Sequence, residues 1–470
     1  MTQAPFGLEK LAAEFDGVSF GDTRLGERLN HIVTLLGASP GDSFPEQMEA
    51  DSELEALYRF FANPKVTVAR LLAPHLKQTH RRMRDHKVVR VLHDTTPFAF
   101  DGSRQGLGII ARGKNGFFAH TALAVAPDET LEPIGVLGLR PYIHKNTKDN
   151  RRKTVSQKKM DTRNTRRSQK ESSRWEQLAI DVSAELPASV RAVHIMDQEA
   201  DDYALFAELQ KAGLSFVVRA LPARLANEER LPVREILASK PARILRTIHL
   251  TPRSARKARI SNQVERSERT ADLKVRWGRI TLRRGRYMQA DAPELSLYAV
   301  HVFEPSPPEG EEPVEWMLFT SEVVTTLEQA TAVLDHYRAR WVIEEYFKAL
   351  KTGCAIEKRQ LTSFEGLTRA LAVFVPMAWH LLLLRHMGRD PVSRPATSVF
   401  RPRQLALLNA LLRKRKRLLP ANPTARDAML GIAALGGHIR NNGDPGWLVL
   451  GRGFTRFAEA EEVWLLAEKL

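Results

Sequence analysis

Over the first 75 residues the apolar positions recur at helical spacing, in 8–15, 24–36 and 54–61. Asp22 stands where an N-cap would open the second helix, with Arg24 and Arg28 four apart on one face. From residue 87 the period shortens to that of strands. The run 87–94 (KVVRVLHD) ends on Asp94, and 119–127 and 132–143 follow as two further strands around a turn at 128–130. A helix over 174–184, a strand over 190–196 ending on Asp197, a helix over 203–209 and a strand over 215–220 complete the series. Three meandering strands, then helix, strand, helix, strand, predict an α/β fold with helices laid on a mixed sheet. In 251–288, Leu273, Val275 and Trp277 alternate with polar residues, and Ile280 and Leu282 resume after Gly278, which predicts an inserted β-region with a basic face. Residues 327–352 read as one long helix stopped by Gly353. The chain is helical beyond about 365, apart from a glycine-rich turn region at 436–453. No internal repeat shows at 20–50-residue periods.

Composition narrows the partner. The 470 residues contain one cysteine, Cys354, which excludes an intrachain disulfide framework and cysteine-rich zinc modules and reads as a reduced, incidental thiol. Lys and Arg outnumber Asp and Glu by 71 to 55, a net charge of +16. Segments 145–174 and 251–288 each carry twelve basic and three acidic residues, so together they exceed the whole surplus. The first, almost without apolar residues, reads as a solvent-facing loop. Charge so concentrated points to a polyanion, either nucleic acid or a membrane surface. The most apolar run, 370–384, falls short of the roughly 20 residues a spanning helix needs and carries Pro376 and His380, so it reads as a buried core helix. The N-terminal stretch has no signal pattern. The expectation is a cytoplasmic, nucleoid-associated protein that binds nucleic acid and no membrane. Arg413 to Arg417, all basic, read as a solvated helix end with at most a minor DNA contact.

Candidate chemistry starts with Asp94 and Asp197. Carboxylates at the C-terminal ends of adjacent buried strands repel each other unless a cation lies between them, and a divalent metal prefers oxygen ligands. Taken singly, each reads equally as a cap or turn residue. In the long helix, at 100° per residue from Tyr337, Arg340, Glu344 and Lys351 fall at about −60°, −20° and −40°, one stripe over about four turns, whereas Glu345 lies off it. Such a stripe suits a phosphate backbone passing a metal site. It equally suits a solvated face with an Arg340–Glu344 pair.

The spacing Tyr337-x2-Arg340-x3-Glu344-x6-Lys351 resembles the Tyr-Arg-Glu-Lys signature of bacterial insertion-sequence DDE transposases, in the insertion-sequence-four class that includes the Tn-five type. Blocks in matching order support the resemblance: GDTRLGERL (21–29), YRFFANPKV (58–66), HDTT (93–96), DQEAD (197–201), FVVR (216–219) and EWMLFTS (315–321), with GDPGWLVLGRG (443–453) more loosely similar. The resemblance implies a ribonuclease-H-like core with an inserted β-region at about 221–315. It implies a catalytic triad of Asp94, Asp197 and Glu344 holding two Mg²⁺ ions, with Mn²⁺ an alternative. Tyr337, Arg340 and Lys351 would hold DNA phosphates, and Trp316 would stack on a flipped base, an aromatic platform offsetting the few kcal/mol of unstacking. Without the resemblance Trp316 reads as a core strand residue. Arg219 and His120 are candidate supporting or DNA-contacting groups, and Arg24 and Arg28 candidate DNA contacts.

The organisation expected is a helical DNA-binding unit at 1–75, a catalytic domain at 76–365 and a helical dimerisation domain at 366–470. The activity expected is cut-and-paste transposition: cleavage at terminal inverted repeats through a hairpin intermediate, then strand transfer into target DNA, by a homodimer on paired ends. A non-catalytic DNA-binding regulator and a nuclease without strand transfer are the alternatives.

Overall fold

The computed structural model describes residues 8–48, 50–102, 104–110, 114–143, 154, 172–252, 256–257, 262–263, 265–283, 294–389, 394–439 and 443–467. The expected loop at 145–174 lies almost wholly outside them, as does part of the basic stretch 251–288.

A mixed sheet organises the chain. Its main strands are β1 Val88–Phe100, β2 Asn115–Val125, β3 Pro133–Tyr142, β4 Arg191–Met196, β5 Ser215–Arg219, β6 Arg243–Leu250, β7 Arg269–Leu282, β8 Leu295–Phe303 and β9 Glu315–Thr320. They lie in the order β3-β2-β1-β4-β5-β9-β8-β7-β6, with short strands added at the edges. The β1–β4 and β4–β5 pairs are parallel and the other main pairs antiparallel. The expected inserted β-region is therefore no separate body, since its strands prolong the same sheet. β7 shows how. Ala271, Leu273 and Val275 face one core, and Ile280 and Leu282 face another on the opposite side. The shift in alternation at Gly278 is a change of buried face along one strand. A Cβ on Gly278 would come within 3.2 Å of Leu237.

Helices cover both faces. The N-terminal unit holds α1 Leu8–Ala13, α2 Thr23–Ala38, α3 Phe44–Gln47 and α4 Asp51–Ala62. Asp22 caps α2 as expected, accepting from the Arg24 backbone N–H. α5, Val68–Met83, was not among the expected helices, because Pro74 and a run of histidines and arginines blur its periodicity, and it runs straight through residue 75. α6 Ser172–Ala184, α7 Tyr203–Lys211 and α8 Val233–Ala238 follow. The expected helix over 327–352 is instead α9 Leu327–Arg338, a break at Ala339 and Arg340, α10 Trp341–Lys348, and a π turn Ala349–Gly353 closed by Cys354 N–H donating to the Ala349 carbonyl at 2.8 Å. A constant 100° per residue therefore does not carry as far as Lys351.

α11, Phe364–Met387, is long and apolar enough to cross a membrane, but 94% of its apolar window is buried inside the protein, so it is the core helix expected. α12 Pro402–Arg413, α13 Ala425–Leu435 and α14 Trp447–Ala467 complete the chain. The glycine-rich stretch is a turn only at its start. Gly451 and Gly453 lie inside α14, and a Cβ on Gly453 would meet the Ile432 carbonyl of α13 at 1.9 Å. These glycines permit close helix crossing. The basic run after α12 is not simply solvated either. Arg415 donates to the carbonyls of Ala434 and Leu435, and Arg417 to that of His438, satisfying the C-terminal end of α13.

Candidate active site

Strand alternation decides which side chains can meet. Along β1, Leu92 and Phe98 face the large core beneath α9, α10 and α11, whereas Val89 and Val91 face the opposite side. Asp94 shares the face of Leu92 and Phe98. On β4, Val193 and Ile195 face that same core, so Asp197, directly after the strand, emerges on the same side. Asp94 is not at the end of β1, which continues to Phe100. It lies just past Leu92, where the parallel ladder with β4 ends while the antiparallel ladder with β2 goes on. The expectation that the strand ends at Asp94 is not met, because pairing with β2 sustains β1 to Phe100.

Each aspartate is oriented by its own backbone. Thr95 N–H donates to Asp94 Oδ1 at 2.7 Å, and Glu199 N–H to Asp197 Oδ1 at 2.8 Å, where Asp197 caps a short turn Gln198–Ala200. Arg340, at the break between α9 and α10, reaches Asp94 Oδ2 at 3.4 Å and bonds Glu344 one turn on. The guanidinium thus joins the carboxylate of Glu344 to one that lies 246 positions before the arginine itself. Burial first, and then the charge of Asp197, push the Asp94 carboxyl up to about 7 against the pull of Arg340. Burial also raises Asp197, opposed by the Glu199 N–H and by Arg340 and Arg219.

The other expected residues distribute around this point. Arg219 ends β5 beside Asp197, half-buried. Lys351 sits with its ammonium 5.3 Å from the Phe98 ring, and burial lowers its pKa against the pull of Glu357 and Asp94. Tyr337 is largely buried, and its ring lies 6.5 Å from that of Trp316, which is half-buried on β9 opposite Val302. Arg24 and Arg28 are far along the sequence on the exposed side of α2, and Arg24 pairs with the cap residue Asp22. Glu345, off the stripe, points elsewhere, to Lys348 and Arg385. His120 is fully buried and therefore not a surface contact; its Nδ1 lies 2.9 Å from Thr95 Oγ1 and its ring lies 4.4 Å from that of Trp175 at a tilt of 44°.

Sequence reasoning missed what lies behind the carboxylates. His93 and His194 face the side opposite the aspartates, and His93 Nε2 lies 2.9 Å from His194 Nδ1 across β1 and β4. Ser183 Oγ donates to the Ala179 carbonyl, so it accepts from His194 Nε2–H; His194 Nδ1 is then the acceptor and His93 Nε2–H the donor. The chain ties together the two strands that carry Asp94 and Asp197. The available signal was two histidines in apolar strands, one and three residues before an aspartate.

Among the described residues no three acidic, imidazole or thiol groups converge as a ready coordination cluster. The chemistry of the donors nevertheless fits a hard divalent cation. Asp94, Asp197 and Glu344 offer oxygens, and the raising of Asp94 by burial and by Asp197 is what such a cation relieves.

Comparison with known proteins places this geometry in context. Residues 9–66 match the family model described as Transposase DNA-binding, and residues 167–375 the one described as Transposase DDE domain. The second range contains Asp197 and Glu344 but begins after Asp94. Among solved structures, the chain is similar at 12% identity and TM-score 0.34 to a piggyBac transposase synaptic complex with hairpin DNA determined by cryo-EM, over 87% of this chain and 70% of that one.

Proposed function

On the premise that the chain carries a transposase DNA-binding domain and a transposase DDE domain, we propose that it is a DNA transposase of the insertion-sequence-four class that works by cut-and-paste transposition. The observation that carries the reading is the meeting of Asp94, Arg340 and Glu344, with Asp197 electrostatically coupled to Asp94.

Asp94, Asp197 and Glu344 would hold two Mg²⁺ or Mn²⁺ ions. Ions held there supply positive charge that stabilises the attacking and leaving oxygens of an in-line displacement. Arg340, Lys351 and Tyr337 hold phosphates around the scissile bond, and Trp316, beside Tyr337, offers a ring for an unstacked base. Water attacks phosphorus at the transposon end and releases a 3′-hydroxyl. That hydroxyl attacks the opposite strand and closes a hairpin, a second water opens it, and the 3′-hydroxyl then attacks target DNA. Each step exchanges one P–O bond for another, so one carboxylate site serves all of them. The helices after residue 366 would pair two copies on two ends.

The test is incubation of the chain with an end-labelled duplex carrying the transposon end and Mg²⁺. Asp94→Ala, Asp197→Ala and Glu344→Ala should each reduce cleavage by about 100-fold or more while sparing end binding, and Glu345→Ala should be much milder. Full cleavage by Glu344→Ala would sink the assignment. Binding without cutting by the unaltered chain means a regulator, and cutting without joining means a nuclease.

A further inference from the structure

The family match to DNA binding stops at residue 66, and α5 begins at Val68. On α5 and its cap, Lys77, Arg81 and Arg84 are exposed. At 100° per residue they fall within a stripe about 60° wide and roughly 10 Å long. The stripe lines a groove of about 1280 Å³ between α5, β3 and α6, whose other charged walls include Arg140, Arg174 and Asp181. Arg140 is paired with Asp181, and Arg174 lies 4.1 Å over the Tyr142 ring. Arg81 bonds only the neutral Gln78 at 3.3 Å, and among the described residues neither it nor Lys77 nor Arg84 pairs with a carboxylate. The groove wall thus carries five Lys or Arg side chains against two carboxylates, Asp181 and Glu185, so cations are in excess along it.

α5 is also clamped to the N-terminal unit. Buried Glu14 lies 2.5 Å from His75 Nδ1 and 2.6 Å from Arg82 Nη1, Arg82 Nε donates to the Ile134 carbonyl on β3 at 2.7 Å, and Arg70 donates to the Phe20 carbonyl at 3.3 Å. The helix that carries the stripe is thus bonded both to the N-terminal unit and to the edge of the sheet.

We propose that the duplex held by residues 9–66 runs on along this groove, its phosphate backbone contacted by Lys77, Arg81 and Arg84 without regard to sequence. The proposal rests on the transposon-end reading above. One strand presents a phosphate every 3.4 Å of axis, so a stripe of roughly 10 Å reaches about three of them.

Two experiments on the full chain decide it. First, the triple variant Lys77→Gln, Arg81→Gln, Arg84→Gln is titrated with an end-bearing duplex at several salt concentrations, its thermal midpoint showing that it is folded. The slope of log affinity against log salt should fall in magnitude by about 2–3, with affinity down about tenfold or more. An unchanged slope overturns the proposal. Second, Arg81→Cys is offered an end duplex with a thiol tethered to its backbone beyond the segment bound by residues 9–66; Cys354 is buried, so the new thiol is the accessible one. Disulfide capture of the end duplex is expected. Capture of unrelated duplex alone, or of an acidic protein in place of DNA, overturns the proposal. Both readouts measure binding, so they stand apart from the cleavage test of the carboxylates.

Discussion

At the residue scale, the informative group is Asp94. Its carboxyl is held up to about 7 by burial and by Asp197. A raised carboxylate favours the protonated form in the folded chain, so the native state loses stability as pH rises from the unfolded value near 3.8 towards about 7, and nothing further above that. Asp94→Asn should therefore gain thermal midpoint over the unaltered chain progressively between those values, by on the order of a few °C, and then hold a constant lead. On the proposed reading the same titration would govern metal binding, since only an ionised carboxylate is a ligand. Mg²⁺ should raise the midpoint of the unaltered chain more at pH 8 than at pH 6 and have little effect on Asp94→Asn. Scanning fluorimetry across pH with and without Mg²⁺ reads both, and a pH-independent difference would refute the account. The two aspartates were legible from sequence because each closes an apolar run. The histidine chain behind them was not, because a buried histidine in a strand carries no sign of its partner three strands on in sequence.

At the element scale, the contrast is between what periodicity reports and what neighbours impose. The stripe of Tyr337, Arg340, Glu344 and Lys351 was visible as spacing. The break at Arg340 and the π turn were not, because they depend on how α9 and α10 dock against β5, β1 and α11. The glycines of the C-terminal helices make the same point. A Cβ at Gly436 would sit 1.9 Å from the Val449 carbonyl, and one at Gly453 would sit 1.9 Å from that of Ile432, whereas one at Gly446 meets nothing within 4 Å. Gly436→Ala and Gly453→Ala should each cost about 2 kcal/mol or more in denaturant unfolding, because backbone must move, and Gly446→Ala should lie within about 0.5 kcal/mol of the unaltered chain. Equal behaviour of all three would mean that the close crossing of α13 and α14 is absent.

At the scale of the whole molecule, Arg359 joins the parts. It is almost fully buried and donates to the carbonyls of Asp42, Pro40 and Cys354, between rings of Phe44 and Phe374. It thus ties the N-terminal unit to the chain just after the π turn, and burial lowers its pKa to about 10. Arg359→Ala leaves two buried carbonyls and one part-buried carbonyl short of a donor and a cavity between two rings, a loss of about 3–5 kcal/mol. Arg359→Lys should recover little, since one ammonium cannot reproduce the planar fork. Hydrogen exchange should show residues 40–47 and 354–359 losing protection together in both variants; loss confined to one segment would separate the two units.

The sequence by itself determined the classes of element and the basic character, and it offered candidates for the chemical groups. Alternation, helical spacing and charge are local properties, and they made Asp94, Asp197, Glu344 and Arg340 candidates to which the family resemblance gave roles. Tertiary structure alone decided that Arg340 stands between two of those carboxylates, that the inserted strands prolong one sheet, and that Lys77, Arg81 and Arg84 border a groove between α5, β3 and α6. Those outcomes depend on which faces pack together across hundreds of residues, and burial at such contacts sets both the pKa of Asp94 and the direction in which each charge points.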